Sequence, residues 1–243
     1  MEASGKTNPP VSQIGRTLVI MAKAPRPGAV KTRLAQFLPP PAVIALYRCL
    51  LDDTIALAHS LPGIEVAIMC PAADVDDLSR AVGEAARVVP QTGEGLEAGL
   101  TSVFAHFAAS GQRSVIAFNS DSPHLPASVL EKAFDSLADH DVVVGPTNDG
   151  GYYLIGARAV HPALFEGDGM GTSNALERLL ERVRALRLSV SVAEPFYDID
   201  VASDLSRLEA ELQLFPERAP RTAAWLAEWK QAMPHWKLAA GES

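Results

Sequence analysis

The sequence has few of the features that stabilise secreted or membrane-spanning proteins. Only two of its 243 residues are cysteines, Cys49 and Cys70, and they do not form a C-x-x-C pair. No apolar run approaches the roughly 20 residues that a transmembrane helix needs, and the polar first residues lack the apolar core of a signal peptide. We therefore expect reduced structural thiols, no membrane span and a cytoplasmic location.

Acidic residues are missing from one part of an otherwise acidic chain. The net charge is -8, yet no Asp or Glu occurs from Ala3 to Leu51. The cations of this stretch are Lys6, Arg16, Lys23, Arg26, Lys31, Arg33 and Arg48. Nucleic-acid binding requires cations spread over a wide face, whereas these are concentrated around one strand end. The sequence therefore predicts a small anionic ligand and no nucleic-acid partner.

A phosphate-binding loop is predicted directly after the first strand, Thr17 to Met21. In an open α/β sheet, ligands bind beyond the carboxyl ends of the strands, where backbone N–H groups and cations converge on phosphate. The alternative is a solvated basic turn. A Walker A loop is excluded, because Val30 and Pro25 stand where its glycines are required. The candidate phosphate-binding residues are Lys23, Pro25, Gly28, Lys31, Thr32 and Arg33.

Strands and helices are predicted to alternate through most of the chain, which indicates an α/β fold with a mostly parallel central sheet. The predicted strands are 17–21, 64–69, 87–89, 114–118, 141–145, 152–155 and 188–192, and the helices between them include 39–59, 74–82, 127–137 and 173–186. We expect a flexible tail at 1–15, one domain at 16–213 and a helical extension at 214–243. The extension carries all three tryptophans, so it is predicted to pack on the domain or to form a homodimer.

A glycine-containing segment follows the third predicted strand. Gly93, Gly95 and Ala98 match the spacing G-x-G-x-x-A of dinucleotide-binding proteins. That motif should follow the first strand and precede an acidic residue at a strand end about 20 positions later, and neither condition is met cleanly. The hypothesis retained is that Gln91, Gly93 and Gly95 border a flat ligand such as a nucleotide base.

Carboxylates follow two other predicted strands and form a candidate metal site. Asp121 comes directly after the most apolar strand, and Asp198 and Asp200 form a second acidic pair. Mg²⁺ beside a diphosphate is usually held by one or two such carboxylates together with phosphate oxygens. The alternative is that each Asp caps the helix that follows it. Together with the basic loop, the pattern favours binding of Mg²⁺ or Mn²⁺.

The sequence resembles the DUF2064 family on four motifs that occur in the family's order. They are Lys23–Leu34, Ser120–Pro123, Gly145–Gly156 and Tyr197–Asp200. Members are described as candidate glycosyltransferases of the GT-A fold, some of them associated with arsenosugar biosynthesis. The resemblance therefore implies a GT-A-like, Rossmann-related three-layer sandwich that handles a nucleotide-diphospho-sugar.

The sequence is more distantly similar to nucleotidyltransferases that transfer a nucleotide to a sugar phosphate or a cofactor, such as the molybdenum-cofactor and 2-phospholactate guanylyltransferases. In those families the first loop binds a triphosphate, and two aspartates bind magnesium. The G-x-G-x-R signature of the sugar-nucleotide branch is absent here. Its absence weighs against nucleotidyl transfer without excluding it. Met170 also replaces the aromatic residue that the DUF2064 family usually has before Gly171-Thr172.

The combined prediction is a metal-dependent glycosyltransferase that moves a sugar from a nucleotide-diphospho-sugar to an unknown small-molecule acceptor. Lys23, Lys31 and Arg33 would neutralise the leaving diphosphate. Asp149 is predicted to act on the acceptor side, as general base or as a ligand of acceptor hydroxyls. The other predicted acceptor-side residues are Gly150, Gly151, Tyr152 and Thr172. A nucleotidyltransferase and a non-catalytic binding module remain the alternatives.

Overall fold

The computed structural model describes residues 15–167 and 173–233, and it contains strands and helices in regular alternation. The strands are β1 (Arg16–Met21), β2 (Ile64–Cys70), β3 (Arg87–Pro90), β4 (Ser114–Asn119), β5 (Val142–Pro146), β6 (Tyr152–Ala157) and β7 (Val190–Val192). The helices are α1 (Pro40–His59), α2 (Val75–Val82), α3 (Gly95–Ala109), α4 (Ala127–Ser136), α5 (Ala175–Ala185), α6 (Ala202–Leu214) and α7 (Pro220–Ala232).

The strands form a seven-stranded sheet in the order β3-β2-β1-β4-β6-β5-β7. β6 is antiparallel to both of its neighbours, and the other described pairs are parallel. The reversal follows the turn at Asn148–Gly151, as the sequence predicts. The predicted α/β class with a mostly parallel sheet is therefore confirmed.

Side chains that alternate along the strands divide the core into two layers, one on each face of the sheet. Leu18 and Ile20 of β1 join a cluster with residues of α1, α2 and α4, whereas Val19 joins a cluster with α3 and α5. A third cluster joins the outer side of α1 to α6 and α7. Helices thus cover both faces of the sheet, which gives the three layers that the resemblance implied.

The strand order determines where the loops with candidate functional residues meet. The carboxyl ends of β1, β2, β3 and β4 lie at one edge of the sheet, because these strands are parallel. From β1 the chain moves outward to β2 and β3 and then crosses to β4 on the other side. The point where strand order reverses in this way is where open α/β sheets bind ligands. Here it lies between the loops that follow β1 and β4.

Helix α7 is attached to α1 by a buried carboxylate. Asp53 on α1 is 2% exposed, and its Oδ2 accepts hydrogen bonds from Thr222 N at 2.8 Å and Thr222 Oγ1 at 2.7 Å. Its Oδ1 accepts from Arg221 N at 3.2 Å, so Asp53 caps the first turn of α7. Trp225 and Trp229 stack on each other and pack against the third cluster.

The domain boundaries predicted above stay a prediction. None of the described helices is both long and apolar enough to cross a bilayer.

We predict that Asp53→Ala lowers the free energy of unfolding by about 2 kcal/mol, because it leaves buried N–H groups at the start of α7 without an acceptor. The measurement is urea denaturation followed by circular dichroism. Asp52→Ala is the control, since the half-exposed Asp52 only forms a 3.7 Å ion pair with Arg221 and should change stability by less than ~0.5 kcal/mol. Equal effects of the two substitutions would show that Asp53 does not anchor α7.

Candidate functional site

A cleft of about 460 Å³ lies at the sheet edge where the loops after β1, β2, β3 and β4 meet. Its lining includes these predicted site residues: Lys23, Lys31, Gln91, Gly95, Asp121 and Asp200. It also includes Met21, Met69, Pro71 and Leu96, which give it an apolar side. Cations, carboxylates and a small apolar surface therefore face one space, as a nucleotide with its phosphates requires.

A buried ion cluster lies at the β1–β4 side of the cleft. The Nζ of Lys31 is 2.8 Å from Oδ1 of Asp121 and 3.0 Å from Oδ1 of Asp200. The Lys31 side chain is only 3% exposed. Burial by itself lowers the pKa of Lys31, but the charges of Asp121 and Asp200 outweigh burial and raise it. Lys31 is therefore a charged ammonium held between carboxylates of two different loops.

Backbone contacts hold the two acidic segments together. Asp121 O accepts a hydrogen bond from Ile199 N at 3.0 Å, and Ser122 Oγ donates to Tyr197 O at 3.0 Å. Asp198 lies between the joined residues. Burial first, and then the charges of Asp200 and Asp121, raise the pKa of Asp198 to about 6. The segment around Asp200 is thus fixed beside Asp121 although about 80 residues separate them in the sequence.

Two side chains outside the loop after β1 anchor the start of this loop, which is the predicted phosphate-binding loop. Tyr47 of α1 accepts a hydrogen bond from Lys23 N at 3.1 Å and donates one to Lys23 O at 3.0 Å. Asp74 accepts one from Ala24 N at 2.9 Å and pairs with Arg26, which also reaches Asp77 at 2.9 Å. Arg26 therefore points away from the cleft towards acidic partners.

The sequence did not identify these two anchors of the candidate site. Tyr47 has helical spacing with apolar neighbours, which predicts only a core position. Asp74 lies in an acidic turn directly before α2, where its side chain makes no cap hydrogen bond. The signal available for Asp74 was an acidic residue after a strand that ends at the same sheet edge as β1.

The glycine-containing segment after β3 forms the opposite end of the cleft. Gln91 is 8% exposed, and its Nε2 donates to Gly93 O at 3.0 Å and to Gly95 O at 3.1 Å. Gly93 and Gly95 have φ angles of +82° and +85°, which glycine adopts without steric cost. The amide of Gln91 therefore shapes the loop, and Gly95 begins α3 at the cleft wall.

The predicted acceptor-side residues lie at the same sheet edge, because β5 is parallel to β4 through their shared neighbour β6. Asp149 Oδ1 accepts hydrogen bonds from Thr147 Oγ1 and from Gly151 N, the latter at 3.2 Å, and so closes the turn. Gly150 has a φ of +88°, and a Cβ there would lie 1.8 Å from Ser173 O. Tyr152 begins β6. None of the four is among the described residues of the cleft lining, and Thr172 lies outside the described residues.

The remaining predicted residues of the loop after β1 differ from Lys31 in being exposed or half-buried. The Arg33 side chain is 66% exposed, and its Nη1 lies 3.7 Å from Asp200 Oδ2. Gly28 and Thr32 are also exposed, and Pro25 is half-buried. The loop after β1 thus presents these residues towards solvent, while Lys31 turns inward. Their roles in binding stay predictions.

The carboxylates fit the divalent cation that the sequence predicts. Among residues 15–167 and 173–233, no group of three or more His, Cys, Asp or Glu side chains is arranged to hold a metal ion by itself. However, Asp121 and Asp200 both direct an oxygen at one point, where a cation, the Lys31 ammonium, lies. Two carboxylates are what Mg²⁺ usually takes from a protein when phosphates complete its ligands.

A buried histidine packs against the joined acidic segments. His124 is fully buried against the rings of Phe196 and Tyr197, with centroid distances of 4.8 and 4.5 Å. Neither ring nitrogen makes a hydrogen bond with the described residues, and Glu211 Oε2 is 4.0 Å from Nε2. Burial, together with the charges of Arg207 and Arg218, lowers the pKa of His124 to about 3. The native protein therefore holds this histidine neutral.

Comparison with known proteins agrees with the resemblance drawn from the motifs. The model of the family DUF2064, described as an uncharacterized protein conserved in bacteria, matches residues 54–172. The match covers just under half of the chain and includes Asp121 and the turn at Asp149, while Lys31 and Asp200 lie outside it. No curated protein matches the chain. The predicted resemblance to DUF2064 is confirmed.

Solved structures show the same fold. A Desulfovibrio desulfuricans G20 protein, described as a candidate nucleotide-diphospho-sugar transferase, is 26% identical with a TM-score of 0.83, over 91% of this chain and 97% of that one. A Methanothermobacter nucleotidyl transferase is 19% identical with a TM-score of 0.57, over 82% and 99%. The 4-diphosphocytidyl-2C-methyl-D-erythritol synthase of Anaerococcus prevotii is 15% identical with a TM-score of 0.53, over 82% and 96%. The fold is therefore shared by nucleotide-sugar transferases and nucleotidyltransferases.

The neutral His124 predicts acid sensitivity of the fold. Because its pKa is lower in the native state than the ~6.5 of an unfolded chain, the unfolded state takes up a proton that the native state does not. The free energy of unfolding should therefore fall as the pH drops below ~6.5, with a contribution from His124 of about 2 kcal/mol by pH 5.

Urea denaturation of wild type and His124→Phe between pH 7 and pH 5 measures this contribution. The variant should lose less stability over this range, whatever its absolute stability at pH 7. His59→Gln, at the exposed end of α1, is the control and should follow wild type. Parallel pH profiles for wild type and His124→Phe would contradict the assignment.

Proposed function

We propose that the protein is a metal-dependent transferase that binds a nucleotide-diphospho-sugar in the cleft and moves the sugar to a small acceptor. The observation that carries the proposal is the cluster in which Lys31 meets Asp121 and Asp200 at the point where strand order reverses. The description of the Desulfovibrio protein as a candidate nucleotide-diphospho-sugar transferase supports it. The likeness of these two chains spans 91% of this chain and 97% of the other.

Three cations of the loop after β1 are available to bind the phosphates of a nucleotide ligand. Lys23 lines the cleft, and Arg33 lies exposed beside Asp200. Arg26 is the other cation of the loop and is already paired with Asp74 and Asp77. Lys23, Lys31 and Arg33 therefore remain to neutralise phosphate, together with the cation that Asp121 and Asp200 would hold.

The proposed reaction breaks the bond between the anomeric carbon of the sugar and the terminal diphosphate oxygen. The electron pair leaves with the diphosphate, an acceptor oxygen forms the new bond to the anomeric carbon, and the acceptor proton passes to a base. Asp121 and Asp200 would hold the divalent cation, which would supply positive charge to the leaving diphosphate. Lys23, which lines the cleft, and Arg33, which lies exposed beside Asp200, would stabilise the same charge.

Asp149 is the proposed base or hydroxyl ligand for the acceptor. Both hydrogen bonds that it accepts from described residues go to Oδ1, and among these residues none donates to Oδ2. The turn that contains it follows β5 at the same sheet edge as Asp121. Gly150, Gly151 and Tyr152 give this turn its shape, and with Thr172 they are the proposed acceptor side.

Nucleotidyl transfer is the second candidate, because nucleotidyltransferases share the fold. In that reaction an oxygen of a phosphorylated acceptor attacks the α-phosphorus of a nucleoside triphosphate, and pyrophosphate leaves. The same cations and carboxylates could stabilise the pyrophosphate. The two reactions release different products, so product analysis separates them.

We predict that the protein releases nucleoside diphosphate from at least one nucleotide-diphospho-sugar in the presence of Mn²⁺ or Mg²⁺, even with water as a slow acceptor. Asp121→Asn should lower the rate about 100-fold or more, the magnitude typical when one preorganised electrostatic group is lost. Chromatography of the nucleotide products from a panel of sugar nucleotides measures both effects.

Asp135→Asn is the control, because Asp135 is an exposed carboxylate of α4 that pairs with Arg16. It should leave the rate unchanged. Release of pyrophosphate from nucleoside triphosphates, with no diphosphate formed from any sugar nucleotide, would refute sugar transfer in favour of nucleotidyl transfer. Metal-independent turnover would refute the role given to Asp121.

A further inference from the structure

The ammonium of Lys31 lies at the point where the proposed divalent cation would bind. It contacts one oxygen each of Asp121 and Asp200, at 2.8 and 3.0 Å. Those are the two carboxylates that face a common point in the cleft. A divalent cation bound there would lie within a few ångströms of the ammonium, and two like charges at that distance repel strongly in a partly buried site. The two cations therefore cannot share the carboxylates.

Lys31 cannot simply leave the carboxylates in the ligand-free protein. Its side chain is 3% exposed, and a buried ammonium that loses its partners is left with an uncompensated charge. Its backbone adds a constraint, because Lys31 has a φ of +47°, a conformation that non-glycine residues adopt rarely and mostly where surrounding contacts demand it. The ligand-free state therefore keeps Lys31 on Asp121 and Asp200.

A diphosphate in the cleft would give Lys31 another partner. Lys31 has a flexible four-carbon side chain with three donors, and phosphate oxygens form strong charge-assisted hydrogen bonds with it. Lys23, which lines the same cleft, belongs to the loop whose start is anchored by Tyr47 and Asp74. A phosphate held by this loop would draw Lys31 away from the carboxylates while the loop start stays fixed.

We propose that Lys31 and the divalent cation are alternative occupants of the Asp121–Asp200 pair, and that a bound diphosphate admits the metal by taking over Lys31. This inference rests on the proposed function for the identity of the anionic ligand. It makes metal binding and nucleotide binding cooperative: the ligand-free protein binds the metal weakly, and each ligand strengthens binding of the other by the same factor.

The test is Mn²⁺ binding to nucleotide-free protein, measured from the electron paramagnetic resonance signal of free Mn²⁺. Lys31→Met removes the competing ammonium, so it should bind Mn²⁺ at least tenfold more tightly than wild type. A residue that only helped the site to form would have the opposite effect. Lys31→Met combined with Asp121→Asn should lose the gain, which assigns the bound ion to this carboxylate.

Lys23→Met is the matched control, because it removes a cation from the same cleft that makes no described ion pair with the two carboxylates. It should change Mn²⁺ affinity by no more than about twofold, the effect of a solvent-screened charge. If Lys31→Met does not fold by circular dichroism, Lys31→Gln provides the same test, since it removes the charge and keeps a hydrogen-bond donor.

Equal or weaker Mn²⁺ binding by the Lys31 variants than by wild type would overturn the inference. In a second arm, uridine, cytidine, guanosine and adenosine diphosphates are added, with correction for Mn²⁺ bound by free nucleotide. The best of them should increase the Mn²⁺ affinity of wild type far more than that of Lys31→Met, and equal increases would also overturn it. The product assay decides the proposed function separately, because competition between Lys31 and Mn²⁺ is independent of which bond is broken.

Discussion

The contact of Lys31 with Asp121 and Asp200 joins three segments that are distant in the sequence: the loop after β1, the loop after β4 and the segment before α6. A buried ion pair contributes little net stability, because desolvation of the charges offsets their attraction. Removal of the carboxylates would be costly, since the Lys31 ammonium, 3% exposed, would stay buried without compensation. The cluster therefore acts mainly as a geometric constraint that keeps the cleft in one arrangement.

The charges around Lys31 do not balance. Asp121, Asp198 and Asp200 surround one buried ammonium, with Arg33 at the exposed side. The raised pKa of Asp198, about 6, is a consequence, because burial and two neighbouring carboxylates disfavour its ionised form. A site with more negative than positive charge favours additional cations. The same excess of negative charge explains why Lys31 remains protonated although it is buried.

Much of the fold followed from the sequence because local patterns determine it. Apolar runs such as 114–118 and helical spacing such as that of α1 predicted elements whose bounds lie within a few residues of those observed. Parallel strands then place the loops after them at one edge, so the proximity of Lys31 to Asp121 could be anticipated. The ion-pair partner of each loop residue could not be anticipated, because it depends on which charged segments meet after folding. Lys31, which was predicted to bind phosphate, contacts the carboxylates of Asp121 and Asp200, and Arg26 forms an ion pair with Asp74.

The G-x-G-x-x-A spacing after β3 has a structural explanation in the packing of this turn. A Cβ on Gly93 would lie 3.0 Å from the Cβ of Ala98, so the G-x-G-x-x-A spacing reflects close packing of the turn on the first turn of α3. A Cβ on Gly99 would lie 2.8 Å from Oε1 of Gln91 and 2.9 Å from Cε of Met21. The small residues therefore make room for the Gln91 amide, whose two donors fix the loop. Because both N–H donors of that amide are occupied, only Oε1 is left to a ligand, and a base at this end of the cleft could reach Gln91 only by donating a hydrogen bond to it.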